Sequence, residues 1–190
     1  MKEYKSARTL GLIGSAVCLF YQVLPINLFV VLILNLFGLT LIAVSIFNLA
    51  KIFNDMSIFK KLLISIVMNL SAKAVIVKMS VGLLKKYENF LKFKGTSFHL
   101  SKEFVSTFMI TYLVLVISAY IWQGVFYKLS QHTQITHFKI GGFLYFVGLA
   151  ILITTLFIPT LLFVFLSKFL IIGSWILILI GFHKLNGSVV

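Results

Sequence analysis

Residues 26–50, INLFVVLILNLFGLTLIAVSIFNLA, run for 25 positions without a charged side chain. About 20 mainly apolar residues are enough to cross the ~30 Å hydrocarbon layer of a bilayer. Inside lipid only a helix or a closed barrel satisfies every backbone group. A barrel strand would alternate apolar and polar residues over about ten positions. Here the apolar residues are contiguous, so the stretch reads as a membrane-spanning helix. Outward from it in both directions the pattern repeats, with charges falling between apolar blocks. Spans are placed at residues 10–24, 26–50, 62–84, 104–125, 140–166 and 169–183. The expected fold class is therefore all-α. It is an integral membrane helical bundle of six transmembrane helices, with five as the alternative, built from two terminal helical hairpins and a central pair. Residues 1–190 form a single transmembrane domain.

Composition agrees with that class. Hydrophobic residues make up 61% of the 190 and charged residues 11%, too little polar surface to cover a water-soluble domain. The apolar run that begins after the charged N-terminus continues past Pro25 with no small-residue cleavage site, so it reads as a retained span. The net charge of +13 forms no compact patch and matches no nucleic-acid motif. The basic residues punctuate the spans, which fits insertion control and attraction to anionic lipid headgroups. Membrane lipids and other membrane subunits are the expected partners, and nucleic acid is not. The one cysteine, Cys18, excludes an intrachain disulfide and reads as a small packing residue.

Orientation is set by the basic residues. Six spans with both termini cytoplasmic put nine basic residues inside and six outside; five spans would put fourteen inside and three outside. The positive-inside rule alone prefers five. The third block opposes it. At 100° per residue Leu63, Ile66, Leu70, Ala74, Val77, Val81 and Leu84 form one apolar stripe. Ser65, Asn69, Lys73 and Ser80 form a polar stripe opposite, and Ser71, Lys78 and Lys85 a second. An interfacial helix wants one broad charged face, whereas two narrow stripes suit a span packed among others. Two landmarks also echo each other, Leu10-Gly11-Leu12-Ile13-Gly14-Ser15 and Ile140-Gly141-Gly142-Phe143-Leu144-Tyr145. Each follows a basic residue and opens a hairpin, a hint of internal repetition of the kind found in transporters.

Several motifs resemble a mainly archaeal family of membrane proteins, domain of unknown function 996. They are Asp55-Met56-Ser57-Ile58-Phe59-Lys60 after the second span and Phe126-Tyr127-Lys128-Leu129-Ser130 with Thr133 after the fourth. Phe138-Lys139, Gly142-Phe143-Leu144-Tyr145-Phe146-Val147-Gly148 and the opening Ala7-Arg8-Thr9-Leu10-Gly11-Leu12-Ile13-Gly14 complete the likeness. The resemblance covers most of the chain and departs from the family at the lysines of the third span, the basic 85–102 segment and residues near Leu161–Lys168. It implies six spans with inward termini, which decides the choice here, and it implies no activity.

Candidates for chemistry are few. General acid–base catalysis needs paired titratable groups within reach. The acids Glu3, Asp55, Glu88 and Glu103 are isolated from one another and lie at span ends or in loops. His132 and His137 are five residues apart and do not share a helix face as paired ligands would, and His99 and His183 sit at membrane edges. No catalytic residue, cofactor or metal is expected, and the chain reads as a non-enzyme. Ser15, Thr40, Ser45, Thr154 and Thr155 are expected to bond their own or a neighbouring helix. Trp122 and Tyr127 read as interfacial anchors.

Lys73 stands apart. It lies twelve residues from both Lys61 and Lys85, so roughly 18 Å from either end of the helix. A lysine at mid-bilayer costs ~2.5–3.5 kcal/mol on insertion scales and normally faces a cavity or a partner. Lys78, closer to Lys85, can snorkel. Lys73, Asn69 and Ser65 are therefore the candidate intramembrane polar site. The leading functional expectation is a structural or accessory subunit of a membrane assembly. A small-solute or ion carrier using this stripe comes next, and a lipid-modifying enzyme last.

Overall fold

The computed structural model describes residues 2–23, 28–92, 102–157 and 161–185, with the backbone alone at 2, 28–29, 32, 80–92, 104 and 153–157. Six helices follow one another: α1 (Lys2–Val23), α2 (Leu28–Ile52), α3 (Met56–Lys92), α4 (Lys102–Thr133), α5 (Thr136–Phe157) and α6 (Leu161–His183). The described part of the chain is all-α. Pro25, Pro159, Lys94 and His99 fall outside the described residues, as do the side chains of Lys85, Lys86, Glu88, Lys92, Thr154 and Thr155.

Each helix packs on the next, and α1 packs on α6, so the six close into a ring. The closest partners are the consecutive pairs α1–α2, α3–α4 and α5–α6. The ring is thus three antiparallel hairpins, and the central pair is a hairpin like the two at the ends.

One seam recurs in all three. In the first hairpin Ser45 Oγ donates to the Ala7 carbonyl at 2.6 Å. Seven residues along each helix, Gly14 meets Gly38, where an added Cβ would lie 2.8 Å from the Gly38 carbonyl oxygen. In the third hairpin Ser174 Oγ donates to Gly141 O and Ser167 Oγ to Gly148 O, both at 2.8 Å. In the second, Ser65 Oγ donates to Ser118 O at 2.8 Å and Ser118 Oγ to Ser65 O at 2.9 Å. Seven residues on, Ala72 and Thr111 are also buried. Seven residues are nearly two turns, so each helix presents two small residues on one face. Small side chains let backbones approach closely, and a serine across the gap bonds the exposed carbonyl.

The register of this repeat differs from the echo read in the sequence. Ala7 and Gly14 correspond to Gly141 and Gly148. Gly11 instead abuts the Phe182 ring of α6, at the contact between the first and last hairpins.

Both the buried and the exposed faces of the helices are largely apolar. Along α3 the polar stripe turns inward, with Ser65 and Asn69 buried, while Ile64 and Val67 are more than half exposed. Ile110, Leu113 and Phe169 are likewise exposed apolar side chains on α4 and α6. Four described segments are long and apolar enough to cross a membrane: Ile33–Ile52, Met56–Met79, Val105–Thr133 and Leu161–His183. The third block is one of them, and α3 lies in the ring between α2 and α4.

Several helix bounds depart from expectation, α1 among them, since it begins at Lys2. α3 and α4, at 37 and 32 residues, are longer than the apolar blocks inside them. Helices continue past the hydrocarbon wherever polar residues of good propensity follow, so an apolar block marks the crossing and not the helix end. α5 ends at Phe157 and α6 begins at Leu161, so Ser167 and Lys168 lie within α6 and do not divide the last two helices. Lys168 sits exposed on α6, because one long lysine can reach toward the interface without ending a helix.

Candidate functional site

Two polar clusters stand out, one at an end of the ring and one at its centre. The end cluster joins the short turns α2–α3 and α4–α5. α2 ends on Asn54, whose φ of 52° is left-handed, with the Asp55 N–H bonding the Ala50 carbonyl at 2.9 Å. Asparagine tolerates that conformation better than most side chains. Asp55 then caps α3, accepting from the Ser57 N–H at 3.1 Å and from the Ser57 hydroxyl at 2.5 Å. Its other oxygen accepts from Lys128 Nζ at 3.2 Å and lies 3.4 Å from His132 Nε2. Lys128 also donates to Ser57 Oγ at 2.8 Å, and His132 stacks on Phe53 with ring centroids 5.0 Å apart. The Ser57 hydroxyl holds the Asp55 carboxyl well below the usual carboxylate range; burial opposes it, and Lys128 and His132 add to the lowering. Each donor bonds the ionised form and favours it. The cluster is a latch: one carboxylate caps a helix and ties two turns together.

The central cluster draws on every helix. Ser65, Asn69 and Lys73 were the sequence candidates, and their roles separate. Ser65 is spent in the seam with Ser118. Asn69 is 6% exposed and lines an enclosed cavity together with Asn35, Ser65, Trp122, Tyr145 and Trp175. Its amide sits beside the Tyr145 hydroxyl. Lys73, one turn on, is half-buried. Among the described residues it makes no ion pair. From α1, Tyr21 donates its hydroxyl to Asn35 Oδ1 of α2 at 2.8 Å.

The cavity is small, about 10 Å³, close to the minimum that holds one water. Three of the polar atoms of its lining residues, Asn69 Oδ1, Trp122 Nε1 and Trp175 Nε1, are buried without a hydrogen-bond partner. They amount to two donors and one acceptor, the complement a single water satisfies.

Beyond this point the ring interior is aromatic. Trp122, Tyr145 and Trp175 form a triangle with centroids 5.8–5.9 Å apart. From Trp122 the packing continues through Phe126 to Phe138 and Phe182, with successive centroids 5.2, 5.9 and 5.1 Å apart. Those three phenylalanines are fully buried. An aromatic column thus fills the ring from its centre to the end that carries the latch.

Trp122, expected to be an interfacial anchor, lies inside the ring. At 3% exposure it is no interfacial anchor. α4 runs on to Thr133, which sets Trp122 roughly 16 Å from the helix end. Tyr127 is 43% exposed, with Lys139 Nζ 5.5 Å from its ring centroid, and does suit an anchor. Trp175, Tyr145 and Asn35 were missed as site residues. The signal lay in the seam: Asn69 and Tyr145 each follow the first small residue of their hairpin, Ser65 and Gly141, by four positions. Serines and threonines behave as anticipated, since Ser15 and Thr40 bond their own helix and Ser45 a neighbour. His137 lies 3.4 Å from Lys184 Nζ, and His183 is exposed.

A closed ring of apolar-faced helices with its polar side chains turned inward defines a helical membrane protein. Residues 34–165 match the family described as "Protein of unknown function (DUF996)", and the chain belongs to that family. It is 30% identical over 151 residues to "Uncharacterized protein MJ1644" of Methanocaldococcus jannaschii, a match covering 80% of this chain and 81% of that protein. No solved structure matches it. Two of the family-like motifs, Asp55–Lys60 and Phe126–Thr133, supply the two sides of the latch.

Proposed function

We propose that all six helices cross the cell membrane with both termini in the cytoplasm, and that the protein is a non-catalytic helical subunit of a larger membrane assembly. The observation that carries this reading is the aromatic column from Trp122 to Phe182. It leaves the ring interior solid over half its length, as in a scaffold and unlike a pore. Lys2, Lys5, Arg8, Lys51, Lys60, Lys61, Lys128, Lys139 and Lys184 all belong to the latch end, which supports a cytoplasmic assignment for that end. Native mass spectrometry after extraction in mild detergent tests the role. The 21.5 kDa chain is expected in a complex of fixed stoichiometry with another membrane protein. Recovery as a lone chain or homo-oligomer that by itself moves a solute across vesicles would overturn the reading.

A carrier is the second reading, favoured by one observation: Asn69 is buried in the ring interior, with Lys73 half-buried one turn further along α3. In that case purified protein in vesicles shows solute-dependent flux that Lys73→Leu abolishes. Flux unchanged by Lys73→Leu at normal expression would remove it.

A further inference from the structure

Between α3 and α4, toward the latch end, lies a groove of about 480 Å³ on the outside of the ring. Lys61 and Ile64 line it from α3, and Tyr120, Ile121, Gly124 and Tyr127 from α4, with Gln123 beside them. Gly124 keeps it open: a Cβ there would meet nothing within 4 Å. Tyr120 and Tyr127, 64% and 43% exposed, stand on either side of that bare strip. The lower part of the groove is apolar, and its upper rim is cationic. Lys61 is exposed and makes no ion pair among the described residues. Lys139 of α5 reaches over the Tyr127 ring at the same rim. The nearby acid that could neutralise them, Asp55, already holds Lys128 and His132.

We propose that this groove is a binding site for one anionic phospholipid. Its phosphate sits between Lys61 and Lys139, where Gln123 supplies a further donor, and one acyl chain lies along Ile64, Tyr120 and Ile121 across the gap at Gly124. The argument is complementarity. A groove that is apolar below and doubly cationic at the headgroup level fits a lipid of negative headgroup, and basic pockets between helices on the cytoplasmic side are where such lipids are held. The site belongs to the membrane-facing surface and does not depend on whether the protein is a subunit or a carrier.

The test is native mass spectrometry of the detergent-purified full chain, titrated with phosphatidylglycerol or with phosphatidylcholine of the same acyl chains. Two lysines at the headgroup level correspond to a preference of roughly 30-fold for the anionic lipid, and Lys61→Gln is expected to weaken binding roughly fivefold. Gly124→Leu, which fills the groove and alters no charge, is expected to abolish the retained lipid. Since that position opens onto free space, the variant is expected to match wild type in circular dichroism. Lys168→Gln, on α6 away from the groove, is expected to leave binding unchanged. Equal retention of the zwitterionic lipid, full binding by Gly124→Leu, or the same loss from Lys168→Gln as from Lys61→Gln would overturn the proposal.

Discussion

Gly14→Ala probes the hairpin seam with a single methyl group. In the first hairpin that methyl would sit 2.8 Å from the Gly38 carbonyl oxygen and from Ile42 Cγ1, and 3.0 Å from the Ile42 backbone nitrogen. Non-bonded carbons prefer about 3.5–4.0 Å, and two of these three neighbours are backbone atoms that cannot rotate away. α1 and α2 must therefore separate locally, and overpacking of this kind costs ~1–3 kcal/mol. Replacing a helical glycine by alanine also brings a propensity gain of up to about 1 kcal/mol, which would obscure the cost in isolation. Gly173→Ala supplies the correction. It too is a mid-helix glycine, but its nearest neighbour would be Leu144 Cδ1 at 3.9 Å, an ordinary contact. The propensity gain cancels between the two variants, so Gly14→Ala is expected to be less stable than Gly173→Ala by about 1–3 kcal/mol. Reversible unfolding in mixed micelles with increasing SDS measures that difference. Equal stabilities would refute the close-packed seam.

Three further outcomes follow from the structure. Ser167→Ala and Ser174→Ala each remove one interhelical bond of 2.8 Å and are expected to lose about 0.6 kcal/mol, and no more than about 1.7, in the same unfolding assay. Asp55 has its carboxyl pKa depressed in the folded protein, so its contribution to stability is fully present above the unfolded value of about 3.9. That contribution is lost as the pH falls from there through the folded value. Melting temperature should hold from pH 7 to about 5 and fall below about 4, and Asp55→Asn should be destabilised at pH 7 and show a flatter acid profile. A flat wild-type profile would remove the latch's electrostatic role. A high-resolution experimental map should show one ordered water among Asn69 Oδ1, Trp122 Nε1 and Trp175 Nε1; an apolar, dry centre there would contradict the cavity's reading.

How much of this was legible in the sequence depends on the kind of signal. Contiguous apolar runs such as 26–50 announce membrane helices, because lipid demands them regardless of what packs against them. Turns were harder. The last two spans were divided at residues 167–168, and Lys168 misled, since charge interrupts hydropathy without interrupting a helix. The ring's inner face was hardest of all. In water the buried face of a helix is read from apolar contrast, but in lipid both faces are apolar. The informative residues are then small ones seven apart, such as Gly141 and Gly148, which hydropathy does not separate from their neighbours. Ser65, Asn69 and Lys73 were visible as polar exceptions on α3. Trp122 and Trp175, apolar in composition and polar only at one nitrogen, were not. The motifs Asp55–Lys60 and Phe126–Thr133 were visible as a family likeness, while their meeting in the latch required the fold.

The claim on which the rest depends is that six helices cross the bilayer and place the latch end in the cytoplasm. Single cysteines at Glu103 and Gln134, both exposed and at opposite ends of α4, in a Cys18→Ala background, test it by labelling intact cells with a membrane-impermeant thiol reagent. The account predicts labelling at position 103 and protection at 134. Labelling at 134 with protection at 103 would place the latch end outside the cell and contradict that claim.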